Sequence, residues 1–247
     1  MNDLPKVSFV IPVLHLVRPL NKKKFFMPRS TVIDLVDDIQ KNVNLNYEVI
    51  VVANNREIDL IEFTTQNQNI SKYVLNSVNP GIARSWNMGA NMAEGEYIFI
   101  VNDDVRIGKN SIESIIAYMD ENPDVGVVGP RGVLWNKNGH VRYVGEEIIE
   151  QADAISGFAF AVRTDAFHLV GGFDVNYTPA GCEEIDFSFR INSTGLKNIV
   201  IPNLDIHHNE HHGISSHRTT IKYFSSEIDT LDLHEKNFSY LTNKWFS

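Results

Sequence analysis

Apolar residues in this chain fall into two kinds of run. Short continuous ones, Val7–Val13, Tyr47–Ala53, Tyr97–Val101 and Val125–Gly129, are rich in Val, Ile and aromatic residues and end at polar or turn residues. Such runs suit strands buried on both faces. Between them, apolar positions recur three and four apart: Val32, Leu35, Val36 and Ile39 within 32–41, and Ile112, Ile115, Ile116 and Met119 after Asn110. That spacing predicts helices. Weaker helices are expected over Ile58–Gln66 and 82–93, with a short strand at 72–76 between them. Ser30 or Thr31 can cap the first helix, Asn110 with Glu113 gives the last a capping-box-like start, and Asn122-Pro123 stops it. Strands alternating with helices as far as residue 129 predict βαβ units, hence an α/β fold with a Rossmann-like, mostly parallel central sheet flanked by helices.

Beyond residue 130 the pattern changes. Asn138-Gly139 between 133–135 and 141–144 signals a hairpin, so a smaller antiparallel part is expected. Residues 154–162 read as one buried strand, 164–170 as a short helix and Gly171-Gly172-Phe173-Asp174 as a turn. Glu183–Ser193 reads as a helix opening with carboxylates, which suits the positive end of its dipole, and Asp186 and Arg190 stand four apart on it. Strands at 198–201 and 204–208 follow. From His217 on, Ile221, Phe224, Ile228 and Leu231 recur at roughly helical spacing. This predicts an amphipathic helical tail (216–247) that packs on the body or on a partner, a second copy of the chain included. Its mixed, slightly acidic polar face disfavours a lipid-binding role. With no internal repeat and no low-complexity linker, one domain is expected over 1–247.

Composition narrows the classes. The 247 residues are 43% hydrophobic and 21% charged, as in ordinary globular proteins. No run approaches the ~18 apolar residues of a membrane span. The N-terminus lacks the basic region and cleavage site of a signal peptide and reads as a first strand. A single cysteine, Cys182, excludes an internal disulfide and fits a reducing compartment, so a cytoplasmic location is expected. The net charge of −9 argues against nucleic acid as a partner but leaves room for a small anion held locally by a metal. Against that acidic background, 14–30 stands out: prolines 19 and 28, Lys22, Lys23, Lys24 and Arg29 make it a long basic loop. It is either solvated surface or a flap over an anionic ligand, since loops after parallel strands line the ligand edge.

The chemistry concentrates where Tyr97–Val101 stops at Asn102-Asp103-Asp104. In open α/β sheets the carboxyl ends of the strands face ligands. Two carboxylates and an amide there suit a hard cation and the phosphates it carries; the plainer alternative is an acidic turn capping the next helix. His207, His208, His211, His212 and His217 crowd one short segment, either metal ligands or an exposed polar loop. No Gly-x-Gly-x-x-Gly follows any predicted strand and no Gly-x-x-x-x-Gly-Lys occurs, which weakens dehydrogenase and P-loop readings.

Taken in order, these motifs resemble the family 2 glycosyltransferases of the GT-A fold. The likeness runs from Val7 to about Ser216: the opening strand, the strand and turn at 47–55, Asn79-x-Gly81 with Arg84, Asn87 and Gly89, then Asn102-Asp103-Asp104 against the Asp-x-Asp motif. Gly171–Asp174 resembles the acceptor-side turn, Glu183-Glu184-x-Asp186 with Arg190 the Glu-Asp-x-Asp…Arg helix, and His207-His208 the late metal-joining histidine. The resemblance implies a nucleotide-sugar-binding half (1–130), an acceptor and catalytic half (131–215) and inverting sugar transfer to a glycan or glycoconjugate hydroxyl. It implies donor contacts from Pro12, Asn54, Arg84, Asn102 and Asp103. Mn2+ or Mg2+ would sit on Asp104 with His207 or His208, and the base would be Glu184, with Glu183 and Asp186 as substitutes and Gly172 on the acceptor side. Three positions depart from the pattern: Ala53 replaces a base-contacting aspartate, Asn102 the first aspartate of the metal motif, and Glu184 an aspartate base. Those departures keep a noncatalytic sugar- or nucleotide-binding module in play, with a nucleotidyltransferase as a third reading. With no transmembrane helix, a lipid-linked acceptor would require peripheral membrane contact, for which the Lys22–Lys24 loop is the candidate.

Overall fold

The computed structural model describes residues 4–20, 22–209 and 218–247. The first half comprises β1 (Val7–Val13), α1 (Val32–Asn42), β2 (Tyr47–Ala53), α2 (Ile58–Gln66), β3 (Lys72–Leu75), α3 (Ile82–Ala90), β4 (Tyr97–Val101), β5 (Val105–Ile107), α4 (Ser111–Glu121) and β6 (Val125–Gly129). Then come β7 (Gly132–Asn136), β8 (Gly139–Val144), β9 (Glu150–Ala152), β10 (Ala154–Ile155), β11 (Ala159–Arg163), α5 (Thr164–Leu169), α6 (Glu183–Ser193) and β12 (Lys197–Val200). The last elements are β13 (Ile206–His208), β14 (Thr220–Tyr223), β15 (Ser226–Asp229) and α7 (Thr230–Trp245).

Eight strands form one sheet in the order β3-β2-β1-β4-β11-β6-β12-β9. β3, β2, β1 and β4 run parallel, as do β6 and β12, while β11 and β9 oppose their neighbours. Small antiparallel sheets of β10-β7-β8, β13-β5 and β14-β15 complete the α/β fold. β1 shows why its apolar run is continuous. Phe9 and Ile11 face one layer, with Leu35 and Ile39 of α1 and Ile112 and Ile115 of α4. Val10 faces the other, with Trp86, Phe160, Phe173 and Phe187. Neither face meets water, so no polar alternation is required.

Local signals decide some ends and mislead at others. Thr31 forms a capping box with Asp34 at α1. Asn110 is left-handed (φ 63°) and makes no cap bond; a capping side chain needs an extended backbone. Glu113 Oε1 instead accepts the Asn44 amide at 2.6 Å. The strand expected over 154–162 is two strands, interrupted at Ser156, Gly157 and Phe158. The tail is also not one helix. Ile221 pairs with Ile228 across the β14–β15 hairpin, Phe224 turns it with φ 48°, and α7 starts only at Thr230. The spacing of such a hairpin pair also equals two helical turns, so periodicity alone could not separate the two. α7 packs on the body, Leu241 and Trp245 lying in the cluster with Tyr177, Ile185 and Phe189. Among the described residues no helix is long and apolar enough to cross a membrane.

From β1 the chain steps outward to β2 and β3, then returns to lay β4 on the other side of β1. The order of connection therefore reverses between β1 and β4, and the crevice at their carboxyl ends is where such sheets accept ligands.

Candidate active site

A cleft of about 670 Å³ opens at that crevice. Its sheet-side wall is Asn102, Asp103 and Asp104. The Asn102 amide donates to the Phe158 carbonyl at 2.8 Å, fixing the end of β4 against the β10–β11 interruption. Arg18, from the long loop after β1, forks across the two aspartates: Nη1 donates to Asp104 Oδ2 at 2.5 Å and Nη2 to Asp103 Oδ1. Burial disfavours charge on both carboxyls. At Asp104 the His208 hydrogen bond and the Arg18 charge outweigh burial and hold the group below the usual carboxylate range. At Asp103 burial, helped by the Asp104 charge, wins over Arg18 and pushes the carboxyl up.

His208 reaches this wall through a second strand pair. β13 runs antiparallel to β5 with His208 opposite Val105, and the Gly108 amide donates to the Asp205 carbonyl at 2.6 Å. A Cβ at Gly108 would lie 1.7 Å from Asp205 Oδ2, so only glycine allows this approach. The His208 ring stacks on Phe158 (4.6 Å, 6°), with Nε2 3.3 Å from Asp104 Oδ1. Successive strand residues point to opposite faces. His207 is accordingly turned out, its side chain 70% exposed and its Nε2 2.8 Å from Asp205 Oδ1. Its expected place among the metal ligands is corrected: of the pair, only His208 faces the cleft. His211, His212 and His217 lie outside the described residues.

The start of α6 also lines the cleft. Glu183 and Glu184 both line the cleft, and Gly157 packs tightly there: a Cβ would come within 3.1 Å of Glu184 Cγ and 3.2 Å of Trp86 Cη2. Asn237 of α7, fully buried, donates from Nδ2 to the carbonyls of Tyr177, Ala180 and Gly181, clamping the segment that leads into α6. Burial raises both carboxyls. Glu183, which also feels the Glu184 charge, goes well above the usual range and has Oε2 without a hydrogen bond among the described residues. When two carboxyls are driven apart in this way, the one raised further keeps the proton.

Other expected site residues divide the same way. Pro12 and Asn54 line the cleft, and Asn54 Oδ1 accepts from Asn76 Nδ2 at 3.0 Å. Arg84 does not line it: its guanidinium bonds Thr178 Oγ1 and the Val175 carbonyl and lies 5.3 Å from the Phe224 ring. Asp186 is corrected as a substitute base. Fully buried, it is held by Arg190 Nε, Lys244 Nζ and Trp245 Nε1, each at 2.8 Å, and thus ties α6 to α7. Gly172 is likewise a turn residue (φ 70°), its carbonyl accepting from Arg190 at 2.6 Å. Sequence reasoning did not single out Arg18, Trp86, Phe158 or the C-terminal Leu233 and His234, all of which line the cleft. For Arg18 a signal existed, its place in the loop after the first parallel strand; for the C-terminal pair there was none.

A divalent ion suits the sheet-side wall. Asp104 Oδ1 is buried without a well-aligned hydrogen bond, and an imidazole nitrogen converges on it. Among the described residues no third His, Cys, Asp or Glu joins them. An ion there would complete its shell with ligand oxygens and water, as hard and borderline cations at phosphate sites do.

Comparison with known proteins decides the family. The model of Glycosyl transferase family 2 matches residues 25–168, more than half of the chain. The chain belongs to that family. It is similar to N-acetylglucosaminyl-diphospho-decaprenol L-rhamnosyltransferase of Mycobacterium tuberculosis, 24% identical over 55% of each chain. In fold it is similar to GalNAc-T7, solved with UDP, GalNAc and Mn2+ (TM-score 0.71, 16% identity, 100% of this chain and 49% of that one). It is also similar to the mannosyltransferase PcManGT of Pyrobaculum calidifontis, solved with GDP-Man and Mn2+ (TM-score 0.57, 15% identity, 82% of this chain and 56% of that one). The chain spans only 25% to 62% of the length of the curated relatives it matches.

Proposed function

We propose that this family 2 glycosyltransferase domain moves a sugar, with inversion, from a nucleotide diphosphate to a hydroxyl of a glycan or glycoconjugate. The observation that carries the proposal is one cleft lined by two unlike sets of groups: Asp104 beside His208, and Glu184, which no described Lys, Arg or His pairs. The Mn2+ complexes of both structural neighbours support a divalent ion at the first set.

Asp104 and His208 would hold the ion, Mn2+ or Mg2+, with the imidazole tilting the choice toward Mn2+. When bound, it offsets the charge that builds on the departing diphosphate. Lys24 and Arg18 also line the cleft and add positive charge there. Asn102, Asp103, Asn54 and Pro12 shape the donor side. Glu184 takes the proton from the acceptor hydroxyl as the new bond to the sugar carbon forms and the bond to diphosphate breaks. Leu233 and His234 line the same cleft.

Arg18 favours a second reading. Its guanidinium spans both aspartates, so a noncatalytic nucleotide- or sugar-binding module could use it in place of an ion. Incubation with UDP- and dTDP-sugars, with and without Mn2+, separates the two. Mn2+-dependent release of nucleoside diphosphate is expected, together with a donor-induced rise in melting temperature. Binding without release favours the module, and release of pyrophosphate would indicate nucleotidyl transfer instead.

A further inference from the structure

The loop between β1 and α1 carries features that sugar transfer does not use. Residues 14–33 contain no acidic side chain but include Arg18, Lys22, Lys23, Lys24 and Arg29, in a chain whose net charge is −9. Lys22–Lys24 form a single 3-10 turn, with Lys22 and Lys23 exposed and Lys24 at the cleft. Immediately after it, Phe25 and Phe26 are 70% and 72% exposed, their rings edge to face at 5.7 Å. Val17 and Leu20 add further exposed apolar surface on the same loop.

Two adjacent, fully formed phenylalanine side chains in water are costly. A solvated charge run would account for the lysines but not for the aromatics beside them. Lysines next to exposed aromatic rings match an anionic bilayer: the ammonium groups meet the headgroups while the rings enter the boundary with the acyl chains. A binding site for a free anion would need no exposed rings. Self-association through the rings would bring two basic loops together.

We propose that this loop docks the protein peripherally on an anionic lipid surface, with Phe25 and Phe26 as the inserted residues and Lys22 and Lys23 as the electrostatic contact. Arg18, Pro19 and Lys24 of the same loop line the cleft, so docking would hold the cleft mouth at the membrane, within reach of a hydroxyl carried on a lipid. The docking itself does not rest on the proposed transfer and is tested without donor or metal.

The test is flotation of the whole chain with vesicles of phosphatidylcholine containing about one-third phosphatidylglycerol, and with phosphatidylcholine alone. The wild type should float with the anionic vesicles and release as salt is raised. The double variant Phe25→Ser, Phe26→Ser should partition about tenfold or more less well, even at low salt. Each of Lys22→Gln and Lys23→Gln should lower partitioning about fivefold on the anionic vesicles. Unchanged circular dichroism and melting temperature would show that the variants fold. The proposal is overturned if the wild type stays unbound at low salt, if the double variant floats as well as wild type, or if the double variant only converts a dimer to a monomer in gel filtration.

Discussion

Two pairs of adjacent carboxylates line one cleft, and their company differs. Asp103 and Asp104 sit at the end of a sheet strand, bonded by Arg18, with the His208 imidazole beside Asp104. Glu183 and Glu184 sit at the start of α6 beside Gly157 and Trp86, with no described cation paired to them. Burial opposes ionisation at all four. Only at Asp104 do the His208 hydrogen bond and the Arg18 charge overcome it and hold the carboxyl below its usual range. At the glutamates nothing does, and both are raised. The same functional group is thereby lowered at Asp104 and raised toward protonation at the glutamates.

This contrast can be broken at either pair. The largest effect is expected from Asp104→Ala: loss of the Mn2+-dependent part of nucleotide affinity in calorimetry, and transfer down by about 10³-fold, the scale of losing a charge-stabilising group. Unchanged Mn2+ enhancement would remove Asp104 from the metal site. Glu184→Gln should keep donor binding while transfer falls ~10²-fold or more; near-wild-type turnover would take the base role away from Glu184. The histidine neighbours sharpen the comparison. His208→Ala should weaken Mn2+ binding by roughly tenfold or more, whereas His207→Ala should leave it unchanged; equal effects would mean that strand direction does not separate them.

The smallest effect concerns stability. The folded chain keeps a proton on Glu183 at pH values where the unfolded chain has lost it, so unfolding free energy falls as pH rises from the ordinary glutamate range toward the raised value. Glu183→Gln removes that penalty. Its melting temperature should exceed wild type by about 3 °C at about pH 8 and match it at about pH 4. A lower melting temperature at both values would show that Glu183 is held as a favourable ion.

Some of this was legible in the residues alone, and the reasons differ from place to place. The alternation of buried strands and helices up to residue 129 needed only periodicity, because both faces of β1 and β4 are covered and their apolar runs are unbroken. The motif after β4 could be placed at the ligand edge because an abrupt change from Val101 to Asn102 has few structural uses inside a sheet. Less was legible beyond residue 130. The interruption at 156–158 is hidden in an apolar run, although it carries Gly157 and Phe158 into the cleft. Asp186 carries the same type of side chain as the candidate bases, and only its contacts with Arg190, Lys244 and Trp245 mark it as structural. Arg84 was similarly indistinguishable from a ligand contact until its bond to Thr178 was seen.

By itself, then, the order of apolar and polar residues determined a mostly parallel α/β sheet and the strand end at which charged groups collect, because burial on two faces and termination by polar residues are local properties. Tertiary structure alone decided which of two consecutive histidines turns inward, which carboxyl of α6 meets the cleft, and that Arg18 spans the aspartates. Those choices depend on the pairing of β13 with β5, on the packing of α7 against α6 and on the path of a long loop. Each joins residues far apart in the chain, where no local periodicity reaches.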